Sequence, residues 1–197
     1  MNSEIEVRFD NIDIDDIRRR LMAAGAKLEQ PMRLMRRALI EEPHHVIENS
    51  FIRIRDEGDK VTLTFKRRAA ADEATTIDST QEIETTVGDF DTTVMLFAEA
   101  GWKYTTMQEN KRETWRLDDA EVVVDIWPWI NPYIEIEAKS EEVVRSVAAK
   151  LGFDWKDAGF GSVDIVYERE FPNMSVRGVI DIKNARFDDP VPPEFLG

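Results

Sequence analysis

Pairs of glutamates one residue apart occur in three segments: Glu4 and Glu6 in SEIEVRF, Glu82 and Glu84 in QEIETTV, Glu135 and Glu137 in PYIEIEA. Arg53 and Arg55 in SFIRIRD repeat the spacing with the opposite sign, and Lys66 closes VTLTFK. The residues that alternate with them are Ile, Val, Leu and Phe. On a β-strand, residues i and i+2 share a face, so each segment sets its charges on one side and its apolar residues on the other. An antiparallel sheet with one wet face shows the same alternation. Here, however, acids and bases are segregated by segment, whereas solvated faces mix signs. If the charged faces are enclosed, unpaired ions there cost several kcal/mol each. Clustered carboxylates then require a cation, and oxygen ligands select Mg²⁺, Mn²⁺ or Ca²⁺ over zinc. Clustered guanidinium groups require an anion, and their forks match phosphate oxygens bidentately. A metal-bound polyphosphate meets both demands.

The elements that position these residues are legible from period and punctuation. Residues 3–9 alternate as a strand. Asp13 caps a helix running to about Lys27, with Ile14, Ile17, Leu21 and Ala24 on one face and Gly25 near its end. Residues 32–41 read as a strand whose register the sequence leaves open. SFIRIRDEGDKVTLTFKRR reads as a hairpin turning at Glu57-Gly58-Asp59. AAADEATTIDST has no periodicity and reads as a loop, QEIETTV as a strand. A helix starting at Asp89 or Asp91 ends at Gly101. NKRETWRL and AEVVVDIW form a second hairpin around Asp118-Asp119, PYIEIEA is a strand, and Ser140 caps a helix that Gly152 ends. A short helix is expected near 162–169 and a surface tail from Phe171. So many antiparallel strands in one chain either pack on a second sheet or close on themselves.

Composition bounds the function. The chain has 197 residues, 42% of them hydrophobic, enough for one core. No apolar run approaches a membrane span, and no basic-then-apolar leader opens the chain, so a cytoplasmic protein without membrane partners is expected. The absence of cysteine excludes disulfides and thiolate metal sites. A net charge of −14 is the reverse of a nucleic-acid binder's balance. A polyanion must therefore be held by a local basic cluster against the repulsion of the whole chain.

The blocks EIEVR, FIRIRDEGDKVTLTFK, QEIET, KRETWRL and VVVDIWPWINPYIEIE resemble, in order, those of the CYTH superfamily, the triphosphate tunnel metalloenzymes. EIEVR answers to its ExExK signature, with Arg8 standing where the signature has lysine. The resemblance implies an α+β fold: an eight-stranded antiparallel closed β-barrel, a tunnel, with helices packed outside. It implies a tunnel domain over 1–170 and leaves 171–197 as an irregular tail. It places Glu4, Glu6, Asp125, Glu135 and Glu137 on a metal, Mg²⁺ or Mn²⁺, with Glu4, Glu6, Glu135 and Glu137 catalytic. It places Arg8, Arg53, Arg55, Lys66 and Arg112 on the triphosphate. Glu82 and Glu84 match its middle acidic pair, Lys111 competes with Arg112 for the inward position, and Arg33, Arg36 and Arg37 are further candidates.

The activity implied is metal-dependent hydrolysis of a triphosphate-containing small molecule: tripolyphosphate, a nucleoside triphosphate or thiamine triphosphate. Cyclisation of ATP to cyclic AMP and a non-catalytic polyphosphate-binding module are the rival readings. A homodimer is left open. Elsewhere, His44-His45 read as loop residues, because nothing completes a zinc set. Arg18, Arg19 and Arg20 splay around a helix and read as solvated. Trp127 and Trp129 are suited to packing on the helices or to stacking on an organic group.

Overall fold

In the computed structural model, residues 2–40, 50–68 and 80–197 are described, except for the side chains of residues 2–4, 68, 80 and 81. The expected 69–80 loop, His44-His45 and the last residue of the 32–41 strand fall largely or wholly outside them.

Eight strands make the body: β1 (Asn2–Phe9), β2 (Lys27–Ile40), β3 (Ser50–Asp56), β4 (Val61–Arg68), β5 (Thr80–Val87), β6 (Tyr104–Leu117), β7 (Ala120–Ile126) and β8 (Tyr133–Ala138). They pair in the order β2-β3-β4-β5-β1-β8-β7-β6, and β2 pairs again with β6, so the run returns on itself as an antiparallel ring. A two-residue strand, β9 (Asn184–Ala185), adds in parallel to β6. Such closure removes the sheet edges that eight strands would otherwise expose.

The helices lie outside. Helix α1 (Ile14–Ala23) starts where the Asp13 side chain accepts a hydrogen bond from the Asp16 N–H at 2.7 Å, with Asp15 and Asp16 in the first turn. It is shorter than its apolar stripe suggests, because the chain is already extended in β2 at Lys27. Helix α2 (Phe90–Glu99) is capped by Asp89, and α3 (Glu141–Lys150) by Ser140. The outward residues of the ring, among them Val7, Phe9, Val122, Val124, Ile134 and Ile136, pack on Ile17 and Leu21 of α1 and Val144, Val147 and Leu151 beyond it. Phe90 of α2 packs on Ala38, Ile40 and Ile54. The hydrophobic core therefore sits between wall and helices, leaving the inward face mainly to polar residues. At the β3–β4 turn, Gly58 adopts φ +92°, which side chains rarely tolerate. No helix among the described residues is long and apolar enough to cross a membrane.

Two expectations differ from what is seen. Arg18 is not merely solvated: its guanidinium pairs with Glu113 on β6 at 2.7 Å, and the Trp115 indole N–H donates to the same carboxylate at 2.6 Å. Arg20 likewise donates to the Leu151 carbonyl and pairs with Asp16. The segment after Phe171 is not a loose surface tail. Helix α4 (Asp164–Glu170), β9 and the four-residue α5 (Pro193–Leu196) bring Tyr167, Val179, Ala185 and Phe195 into one buried cluster with Trp127 and Tyr133. Phe195 is 1% exposed and contacts the rings of Trp129, Tyr167 and Phe171. Truncating so buried a ring costs about 3–5 kcal/mol. Phe195→Ala is therefore expected to lower the urea midpoint by that amount of stability, as read by equilibrium unfolding. An unchanged midpoint would mean that the segment is not docked.

Candidate active site

The inward face of the ring surrounds a cavity of about 490 Å³. Its cationic side is built by β2, β3, β4 and β6. Arg53, Arg55, Lys66 and Arg112 all line it, and β2 adds Arg33 and Arg37, whose register the sequence left open. Arg37 is the direct cross-strand partner of Arg55, and Arg33 of Arg112. Two of these cations are balanced across strands: Lys66 Nζ lies 3.0 Å from Glu82, and Arg53 lies 3.6 Å from Glu84, which also accepts a hydrogen bond from Thr64 Oγ1 at 2.9 Å. Arg33 Nε donates to the Glu57 carbonyl at 3.1 Å. Arg36, one residue from Arg37, faces outward onto Asp56, Asp91 and the Phe90 ring.

Arg55 is set apart by the lack of a carboxylate pair among the described residues; a buried nitrogen without a hydrogen bond it shares with Arg8 Nη2. It is 6% exposed, its Nε is buried without a hydrogen-bond partner, and no carboxylate among the described residues pairs with it. Burial first, and then the charges of Arg53 and Arg112, lower its guanidinium to about 9. An oxygen anion within hydrogen-bond distance would offset that desolvation.

The acidic side is built by β1, β8 and β7. Glu6 on β1 faces Glu137 on β8, which faces Glu121 on β7, so three carboxylates stand in one row across three adjacent strands, and all three line the cavity. Glu121 is paired to Arg116 at 3.3 Å. Reading of the sequence missed it, although it lies four residues before Asp125 on the same strand face. Glu135 lines the cavity one pleat further in, opposite Arg8. Burial pushes its carboxyl up, while Arg112, 3.1 Å away, draws it down. Glu4 is extended in β1 opposite Thr80, and its side chain is outside the described ones.

Three candidates are placed differently from what the resemblance implies. Asp125 is wholly buried and does not line the cavity: both of its oxygens accept from Arg112, and Oδ1 also accepts from Asn110 Nδ2 at 3.1 Å. With its oxygens so occupied it anchors an arginine and is not free to ligate a metal. Burial pulls the Arg112 guanidinium down, yet Asp125 and Glu135 together hold it well above its ordinary value. Arg8 is 2% exposed and is not part of the lining; Nε donates to Asp10 at 2.6 Å and Nη1 to the carbonyls of Gly161 and Ser162 at 3.0 and 3.3 Å. Its backbone bridges to Gly159, where an added Cβ would come within 3.2 Å of the guanidinium, so glycine suits that close approach. Arg8 thus pins the segment after α3 to the barrel. Lys111 is exposed, with Nζ 4.5 Å from the Phe187 ring.

Apart from the Tyr133 hydroxyl, the inward oxygen groups on the acidic side are carboxylates, the ligands of a hard divalent cation. No three such groups among the described residues converge closely enough to hold a metal unaided. Glu6 and Glu137 are direct partners on the cavity wall beside the Glu4 position, two carboxylates of the kind a hard divalent cation takes.

Ring, cavity and ordered charges can be set beside known proteins. A model of the CYTH domain matches residues 2–161. The chain belongs to the CYTH domain family. Solved structures similar to this CYTH protein include a conserved hypothetical protein from Pyrococcus furiosus, with 24% identity and a TM-score of 0.66 over 80% of this chain and 95% of that one. A protein from Vibrio parahaemolyticus, solved as a candidate adenylate cyclase, aligns at 10% identity and a TM-score of 0.69 over 84% of this chain and 97% of that one. A Hippeastrum protein described as having a dominant triphosphatase activity aligns at 15% identity and a TM-score of 0.52, over 82% and 91%. At these identities the likeness is one of fold. No curated protein matches this CYTH chain. The match to the family ends at residue 161, so Ser162, Val163, Asp164 and Ile180, which line the cavity, lie beyond it.

Proposed function

We propose that this CYTH protein hydrolyses a triphosphate with the help of a divalent cation, Mg²⁺ or Mn²⁺. The observation that carries the reading is Arg55: a buried guanidinium without a partner, set between Arg53, Arg112 and Arg37 inside a ring whose other side carries carboxylates. A buried cation with no carboxylate pair among the described residues, in a cavity whose other side carries carboxylates, suits a ligand that is itself anion plus metal, and the structure described as a triphosphatase shares the fold.

In this reading Arg53, Arg55, Lys66 and Arg112 fix the phosphate chain through charge-assisted hydrogen bonds. Arg112 is held in place by Asp125 and Glu135 before the substrate arrives, so its contact costs little reorganisation. Glu6 and Glu137, with Glu4, would hold the cation. When bound, that cation neutralises developing charge on the phosphate oxygens. Glu121, beside Glu137, orients the attacking water towards the terminal phosphorus. Positioning and charge neutralisation are what phosphoryl transfer asks of a protein. Arg8 positions the wall and does not touch substrate.

Product analysis with ATP and Mg²⁺ or Mn²⁺ tests the reading. Orthophosphate and ADP are expected. Cyclic AMP with pyrophosphate would make the protein a cyclase instead, and binding without turnover under either ion would make it a binding module.

A further inference from the structure

Two tyrosines are buried, and their hydroxyls differ in what they do. Tyr167 on α4 donates to the Pro128 carbonyl at 2.8 Å. Tyr133 on β8 is 1% exposed, and its hydroxyl makes no hydrogen bond to a described residue. A buried tyrosine hydroxyl ordinarily has a partner, and one without is destabilising. The strand period sends Tyr133 inward. It shares a face of β8 with Glu135 and Glu137 and lines the cavity with them. The register sets it directly opposite Asp125 on β7, which is itself directly opposite Arg112 on β6. The carboxylates beside it are engaged. Both Asp125 oxygens accept from Arg112, and Oδ1 accepts from Asn110 as well. Glu135, the next inward residue on the same strand as Tyr133, accepts from Arg112 at 3.1 Å. Arg112 thus reaches from β6 to β8 and brings its guanidinium to the part of the cavity that Tyr133 faces. The tyrosine ring is held in place. It belongs to the buried cluster of Trp127, Val163, Val166, Tyr167 and Phe195, and the Arg8 guanidinium stands 5.6 Å from its centroid. So held, the hydroxyl cannot swing out to solvent for a partner.

We propose that Tyr133 is a substrate contact, its hydroxyl donating a hydrogen bond to an oxygen of the phosphate chain where Arg112 holds it. The inference rests on the triphosphate reading above and adds a residue to it. Three considerations select a phosphate oxygen as the partner. A phenol is a neutral donor at working pH, and an anionic oxygen accepts from it more strongly than a neutral one does. A hard divalent cation takes carboxylate, carbonyl and water oxygens, and the neighbouring carboxylates supply those. A neutral donor also adds a contact to the chain without adding to the repulsion among Arg53, Arg55 and Arg112, which line the same cavity. Because the ring is already packed, the contact costs little ordering when the chain arrives.

Tyr133→Phe removes one oxygen and keeps the ring. Dissociation constants for inorganic tripolyphosphate are measured on the full chain by calorimetry in EDTA, which stops metal-dependent turnover, with Tyr167→Phe as the control. Tyr133→Phe is expected to weaken binding about 10- to 100-fold, the worth of a hydrogen bond to a charged group. Its ligand-free unfolding midpoint is expected to stay equal or rise, because a buried donor without a partner is gone. Tyr167→Phe is expected to do the reverse: affinity within about twofold of the parent's and a lower midpoint, since the Pro128 carbonyl loses its donor. Carbon-13 at Cζ of the three tyrosines reads the hydroxyl itself. The signal absent in Tyr133→Phe belongs to Tyr133. On addition of tripolyphosphate it is expected to move, and by more than those of Tyr104 and Tyr167. Should Tyr133→Phe fail to fold, Tyr104→Phe and Tyr167→Phe assign the same signal by difference. Parent-level affinity in Tyr133→Phe, or a Tyr133 signal that stays still at saturation, would overturn the contact and leave the hydroxyl to bound water. A wild type that binds no triphosphate would instead overturn the triphosphate reading, and this contact with it. Phosphate release with Mg²⁺ or Mn²⁺ reads turnover separately from both.

Discussion

Replacing Arg55 by methionine is expected to make the ligand-free protein more stable and to remove most of its affinity for triphosphate. The two effects have one cause. The Arg55 charge is buried beside Arg53 and Arg112 without a carboxylate pair among the described residues, and the fields of Asp125 and Glu57 offset the burial only in part. Methionine fills much of the same space with no charge to desolvate, and for a chain of this size each kcal/mol recovered raises Tm by roughly 2–4 °C. With triphosphate present, the lost charge-assisted contacts cost about 2–5 kcal/mol, or ~30- to ~5,000-fold in Kd. Differential scanning calorimetry with and without tripolyphosphate reads both. A variant that is less stable when empty, or that keeps the parent's affinity, would contradict the assignment.

The same residue sets a pH dependence. Arg55 is charged below about 9, and a bound anion draws its proton affinity back up. Affinity should therefore be flat with respect to this group below pH 9 and fall by up to about tenfold per unit above it, a break absent from Arg55→Met. In folding the sign is the other way round. The unfolded guanidinium keeps its proton to higher pH than the folded one. The penalty for burying the charge is thus fully present below about 9 and is relieved as pH rises through that value. The stability gap between Arg55→Met and wild type is expected to narrow there.

Glu6→Gln is expected to lower kcat by ~10²–10⁴-fold, since it weakens the hold on a cation worth several kcal/mol to the transition state. The fold should be spared. Glu6 and Glu137 are direct cross-strand partners, and like charges so placed destabilise a sheet, so neutralising one of them leaves Tm equal or higher in metal-free buffer. Part of the lost activity should return at high Mn²⁺. Activity at the parent level, or a fall in Tm that accounts for the loss, would show that Glu6 is not a metal residue.

How far the sequence carried is seen in particular residues. Alternation put Arg53 and Arg55 on one strand face opposite Ile52 and Ile54, and Lys66 on one opposite Leu63 and Phe65, but a wet sheet face has the same period; enclosure was read from the segregation of acids and bases by segment and from the resemblance. Residues 32–41 resisted, since arginines occur on both faces of β2: Arg33 and Arg37 turn inward while Arg36 turns out to Asp56 and Asp91. Period locates a side chain on a face but not its partner. Asp125 lies on the inward face of β7, yet the register sets it directly opposite Arg112, which takes its oxygens. Arg8 is consumed by Asp10, two residues along, a local spacing that could have been weighed. The C-terminal segment gave no signal because it is held by single side chains such as Phe195 and by carbonyls that accept from Gln108 and Thr106, neither of which leaves a periodic trace.

The central claim is that a metal-bound phosphate chain lies inside the ring, between the arginines and the acidic row. A crystal structure with Mn²⁺ and a non-hydrolysable imido analogue of a triphosphate tests it most directly, with anomalous scattering locating the metal. The expected result is phosphate oxygens against Arg53, Arg55 and Arg112, and manganese against Glu6 and Glu137. Phosphate bound on the outer surface, or Arg55 still without an anion at saturating ligand, would contradict it.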